Sequence, residues 1–167
     1  MFDDIEQLPI YQKAKEILVL AEHICESLKE DEQREHIEHQ ILSNSMAIVT
    51  KIAVAAKTDS YSLKIESLLK IKFAVREMFE GVLFARLIKI NPNDYVQLMR
   101  NAIEEFRIEF ITWIRTFDSS TEIKDDWAIR HDIDKMDDFD QKMISDTDLP
   151  DPDDPESRWF NWDDDNS

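Results

Sequence analysis

The chain has 167 residues, 43% of them apolar, and its 37 acidic and 20 basic residues leave a formal net charge of −17 at pH 7. That length suits one domain with an appendage and is enough to bury a real core. A single glycine, Gly81, excludes sandwiches, barrels, doubly wound sheets, P-loops and dinucleotide fingerprints, all of which need glycine at several fixed positions.

An all-α fold is therefore expected. One cysteine, Cys25, rules out an intramolecular disulfide and a cysteine-based zinc site. It lies among apolar helix positions and reads as a buried, inert thiol. The opening MFDDIEQLPIYQKAKE has neither a basic n-region nor an apolar h-region, so no secretory signal is visible. No stretch approaches the ~20 apolar residues of a membrane span. A soluble, cytoplasmic protein without membrane contact is expected.

In chain order, Leu8-Pro9 opens a first helix at about 9–30, proline being suited to a first helical turn. Ile10, Ala14, Ile17, Leu18, Ala21, Ile24, Cys25 and Leu28 recur at three- and four-residue steps, one apolar face. A second helix at about 33–57 carries Ile37, Ile41, Leu42, Ser45, Ile48, Val49, Ile52, Ala53 and Ala56. The turn Lys57-Thr58-Asp59-Ser60 supplies capping side chains for the third.

That third helix, about 61–89, is the most apolar. Leu63, Ile65, Leu68, Leu69, Phe73, Val75, Met78, Phe79, Val82, Leu83, Phe84 and Leu87 cover more than one stripe, which predicts contacts beyond two bundle neighbours. Gly81 in its interior costs about 1 kcal/mol against alanine and marks a close helix approach. Asn91-Pro92 starts a fourth helix at about 92–117, with Tyr95, Leu98, Met99, Ala102, Ile103, Phe106, Phe110, Ile111, Trp113, Ile114 and Phe117. Four such helices with short connections predict an up-down-up-down antiparallel bundle over residues 1–118.

Residues 119–167 read as an acidic, largely irregular tail. The S-x-x-E box at Ser119–Glu122 predicts one short helix near 120–130, and prolines at 150, 152 and 155 break regular structure beyond. Charge divides in the same place: residues 1–117 carry 19 acids and 15 bases, residues 118–167 carry 18 acids and 5 bases. Such a tail repels nucleic acid and anionic lipid. Yet it places Trp159, Phe160 and Trp162 between runs of aspartate, the form of a segment that folds onto a surface on binding.

His36 and His39 stand one turn apart in EHIEH, but Glu-x-x-His occurs nowhere, and EHIEH is not the H-E-x-x-H of a zinc protease. The motif reads as a solvated helix start. His23 is two residues from Cys25 and so on another part of the helix. The aspartate runs at Asp134–Asp138 and Asp146–Asp148 lack the glycine of a calcium loop. No catalytic, cofactor-binding or metal-binding residue is expected, and the chain reads as a non-enzyme.

One charge feature stands out. Residues 51–89 hold eight bases, Lys51, Lys57, Lys64, Lys70, Lys72, Arg76, Arg86 and Lys89, and four acids. They form either an anion-facing strip for RNA or DNA, or ordinary surface lysines with partners such as Glu66 for Lys70. The −13 of the tail competes for any such strip and favours the second reading.

The stretches LPIYQKAKEI, ILSNSMAIVTKIAVAAKTDSYSLKIESLLKIKFAVREMFE and YVQLMRNAIEEFRIEFITWI resemble the four-helix-bundle family of the bacterial 23S ribosomal RNA intervening-sequence protein. The accessory variability determinant of diversity-generating retroelements belongs to the same group. The match covers about residues 5–118. The Asn-Ile-Ala-Glu-Gly of many members reads Lys51-Ile52-Ala53-Val54-Ala55 here, which points to a divergent member. The resemblance implies a bacterial four-helix bundle that forms a homo-oligomer, pentameric in the family, without catalysis. Its retroelement member engages a reverse transcriptase and nucleic acid, which gives the alternative expectation of a nucleic-acid-associated accessory protein. The preferred expectation is an oligomeric scaffold or adaptor that binds a protein partner and docks through Trp159, Phe160 and Trp162.

Overall fold

The structure is a computed structural model, and it describes residues 3–91 and 94–121. These belong to the first of the chain's two units, Met1–Lys124; the second is Asp125–Ser167. The predicted helix near 120–130, the acidic tail and its three aromatics lie outside the described residues, except for a 3₁₀ turn at Ser119–Thr121.

The described residues are all-helical, as the composition requires, with no strand among them. A short α1 (Asp3–Glu6) precedes four long helices: α2 (Pro9–Ser27), α3 (Arg34–Lys57), α4 (Tyr61–Leu87) and α5 (Tyr95–Ile114). All five pack together. The most extensive contact is α3 on α4; α2 touches α3 and α5, α4 touches α5, and α1 rests on α2.

Pro9 occupies the start of α2, behind an extended Leu8. The helix stops at Ser27, short of the expected residue 30, because Leu28 is extended and buried. The next N–H, that of Lys29, donates to the Ile90 carbonyl at 2.8 Å. A tertiary hydrogen bond thus takes the place of the next helical one. The Asp31 carboxylate then accepts the Gln33 N–H at 2.8 Å, an Asx turn that leads into α3.

α3 buries Ile37, Ile41, Ile48, Ile52 and Ala55 along one stripe. Ser45, fully buried in that stripe, donates its hydroxyl to the Ile41 carbonyl and so carries no unpaired polar group inward. Ser60 caps α4, its Oγ accepting the Leu63 N–H at 3.4 Å. α4 is the central element. It buries twelve residues, against six each in α2 and α3.

The end of α4 required a conformation the sequence did not announce. Lys89 sits at φ 62°, the left-handed region that glycine usually fills. Its N–H bonds the Arg86 carbonyl at 3.0 Å, and the Ile90 N–H bonds the Ala85 carbonyl at 3.1 Å. This is a Schellman closure with lysine at the turn position. It ends the helix at Leu87 and buries Ile90.

Candidate functional site: the outer face of α4

Every third or fourth residue of a helix lies on one face. Between positions 69 and 87 of α4 this rule groups Leu69, Phe73, Arg76, Glu80, Phe84 and Leu87, within about 80° of arc at roughly 100° per residue, and Ser62 and Glu66 continue the same arc towards the helix start. The stripe faces away from the buried set: Phe73 is 57% exposed and Leu87 74%, Phe84, Arg76 and Glu80 are exposed, and Leu69 is half-buried. The Arg76 guanidinium lies over the Phe73 ring, 5.8 Å from its centroid. Beside the stripe, Lys70 is paired with Glu66 one turn away.

α4 therefore carries apolar side chains in two directions. One set is buried within the bundle; the other, at Phe73, Phe84 and Leu87, faces solvent. Large apolar side chains are thus aligned on one exposed face together with Arg76 and Glu80.

The eight basic residues of the expected strip do not act alike. Lys64, Lys72, Arg76 and Arg86 fall within about 120° of α4, whereas Lys70 stands apart on the side of Glu66 and Glu77. Lys64 Nζ sits 4.8 Å from the centroid of the Phe117 ring. Lys51 is half-buried on α3, Lys57 ends that helix, and Lys89 makes the turn after α4. Trp159, Phe160 and Trp162 lie outside the described residues.

Three further groups bear on chemistry. Cys25 is buried, and burial pushes its thiol up to about 12, with the Glu38 charge adding to the effect and Arg34 opposing it. His23 is exposed, with Nδ1 3.9 Å from Glu26. His36 and His39 are exposed on α3, where the sequence reading placed them. Along α2 an open trough is lined by Glu6, Gln12, Lys15, Glu16, Val19 and His23, a mixed polar and apolar set.

The sequence reading missed Arg107. It is 3% exposed, its Nε donates to Glu104 Oε2 at 3.1 Å, and its Nη2 is buried with no hydrogen-bond partner among the described residues. A signal was present, because Ile103, Arg107, Phe110 and Ile114 share one apolar register on α5.

Compared with family models, with curated proteins and with solved structures, the chain matches none.

Proposed function

We propose that this protein is a non-enzymatic helical-bundle scaffold that self-associates and binds a protein partner, with the segment around Trp159, Phe160 and Trp162 as its docking element. The exposed face of α4 carries the reading: Phe73, Phe84 and Leu87 stay outside a core that already buries twelve residues of the same helix. A surface of that kind serves association, not catalysis.

The reading includes an up-down-up-down order for the four long helices and kinship with the intervening-sequence protein family, whose members form rings. Antiparallel neighbours are supported by paired contacts. Lys13 meets Glu105 at 2.8 Å and Lys29 N–H meets the Ile90 carbonyl, so the start of α2 lies by the middle of α5 and its end by the approach to α5. Lys64 lies over Phe117 and Arg100 over Phe79, which relates α4 to α5 in the same reversed sense.

Light scattering of the full chain tests self-association, and a strict monomer at all concentrations ends it. Pull-down with the full chain and with Trp159, Phe160 and Trp162 replaced by serine tests the docking element. Equal capture by both removes that part of the reading.

The clustering of Lys64, Lys72, Arg76 and Arg86 on α4 favours the second reading, a nucleic-acid-associated accessory protein acting with a reverse transcriptase. The ring contacts of Lys64 and Arg76 and the net charge of −17 weigh against it. Titration of RNA and DNA oligonucleotides at low salt, with full-length and tail-deleted protein, decides it. Absence of binding to both forms ends that reading.

A further inference from the structure

The outer stripe of α4 is its own complement when reversed. Read forward, it is Leu69, Phe73, Arg76, then Glu80, Phe84, Leu87. Read backward, leucine again falls opposite leucine, phenylalanine opposite phenylalanine, and arginine opposite glutamate. The three pairs, Leu69 with Leu87, Phe73 with Phe84 and Arg76 with Glu80, are all centred within half a residue of Met78. Met78 itself is fully buried, so the centre of the palindrome is on the turn whose outer side is open.

We infer that two copies of this chain pair through α4, antiparallel, about a two-fold axis that passes outside Met78. In a two-fold interface, if residue i touches residue j of the partner, then j touches i. An antiparallel two-fold pair of one helix face sets the pattern against its own reverse, so it is favourable where the two are complementary. Placed antiparallel, each Arg76 faces the other copy's Glu80, giving two ion pairs at the centre. Phe73 packs against Phe84 and Leu69 against Leu87 on both sides, along about 27 Å of helix at roughly 1.5 Å per residue. A parallel pair would instead set Arg76 against Arg76 and Glu80 against Glu80.

The inference rests on the self-association proposed above and adds the face, the symmetry and the partner residues. A ring closes through two different faces, whereas this pairing uses one face twice. Mass measurements therefore separate the two: the pair predicts a dimer or an even assembly built from dimers.

The test exploits the central charges, which are exposed and outside the core. Arg76→Glu makes positions 76 and 80 both acidic, and Glu80→Arg makes both basic. By sedimentation or native mass spectrometry, each single variant should pair about tenfold or more weakly than wild type, because symmetry doubles every like-charge contact. Mixed together, the two variants should form a heterodimer, since each acidic position then meets a basic one. The double variant Arg76→Glu with Glu80→Arg should pair with itself again. Circular dichroism melting confirms that the variants are folded. A wild-type monomer overturns both the pairing and the self-association. An associating protein indifferent to these charges, or variants that fail to pair on mixing, overturns the α4 pairing alone.

Discussion

A β-carbon built on Gly81 would stand 2.8 Å from Cγ1 of Ile41, closer than such atoms approach in folded proteins. Ile41 is fully buried on α3, and one residue before it Gln40 donates its Nε2 to the Glu77 carbonyl of α4 at 2.8 Å. Glycine is therefore the residue that lets α3 and α4 touch here, despite its cost inside a helix.

Gly81→Ala should destabilise the fold by about 1–3 kcal/mol, overpacking outweighing the gain in helix propensity of about 1 kcal/mol. Chemical denaturation measures it. The penalty should shrink or reverse in an Ile41→Ala background, because the atom in the way is gone. Equal penalties in both backgrounds would show that the close approach is not what glycine serves.

Lys89 holds a left-handed conformation that costs a residue with a β-carbon about 1–2 kcal/mol. Lys89→Gly should raise stability by about 1 kcal/mol and raise the melting temperature by several degrees, within the range expected for a domain of this size. A loss of stability would mean that the lysine side chain contributes more than the strain removes.

Arg107 is a buried cation whose Nε is held by Glu104, a carboxylate that is itself 45% exposed. Arg107→Met keeps most of the volume and removes the unmet Nη2, so it should be neutral or stabilising. Glu104→Gln weakens the bond that holds the guanidinium charge and should destabilise by about 1–2 kcal/mol. In the presence of Arg107→Met, the second substitution should cost little. A large loss with Arg107→Met would show that the guanidinium is satisfied by something other than Glu104.

The thiol of Cys25 has a folded pKa raised to about 12, while an unfolded thiol titrates near about 8.5. The folded state thus keeps a proton that the unfolded state loses. The stability from this group is complete below about 8.5 and declines as pH rises towards 12. Between pH 9 and 11, wild type should lose stability more steeply than Cys25→Ala. At pH 8 the native thiol should react with a disulfide reagent only as fast as the fold opens. Reaction at the rate of a free thiol would contradict the burial.

Much of the fold was legible because helices declare themselves at short range. The scarcity of glycine excluded sheets, and the three-to-four spacing of Ile10, Ile17 and Ile24 or of Ile37, Ile41, Ile48 and Ile52 gave buried faces that the structure keeps. Ser60 could be read as a cap because its bond to the Leu63 N–H is local. The helix ends were less legible. α2 stops at Ser27 beside a hydrogen bond to Ile90, a residue far along the chain, and no local pattern encodes that contact.

The surface of α4 shows the same division. The sequence alone determined that Leu69, Phe73, Arg76, Glu80, Phe84 and Leu87 share one face and that the face is self-complementary, since helical geometry and residue identity suffice. It also showed that α4 has more apolar residues than one stripe can hold. The tertiary structure decided which of them are buried and which meet solvent, because only the positions of α3 and α5 fix the core direction of a helix apolar on several sides. It likewise set Ile41 of α3 as the neighbour in the close approach that Gly81 marks, and left the left-handed turn to Lys89. Which residue stands opposite Gly81 is a long-range packing outcome that composition does not contain.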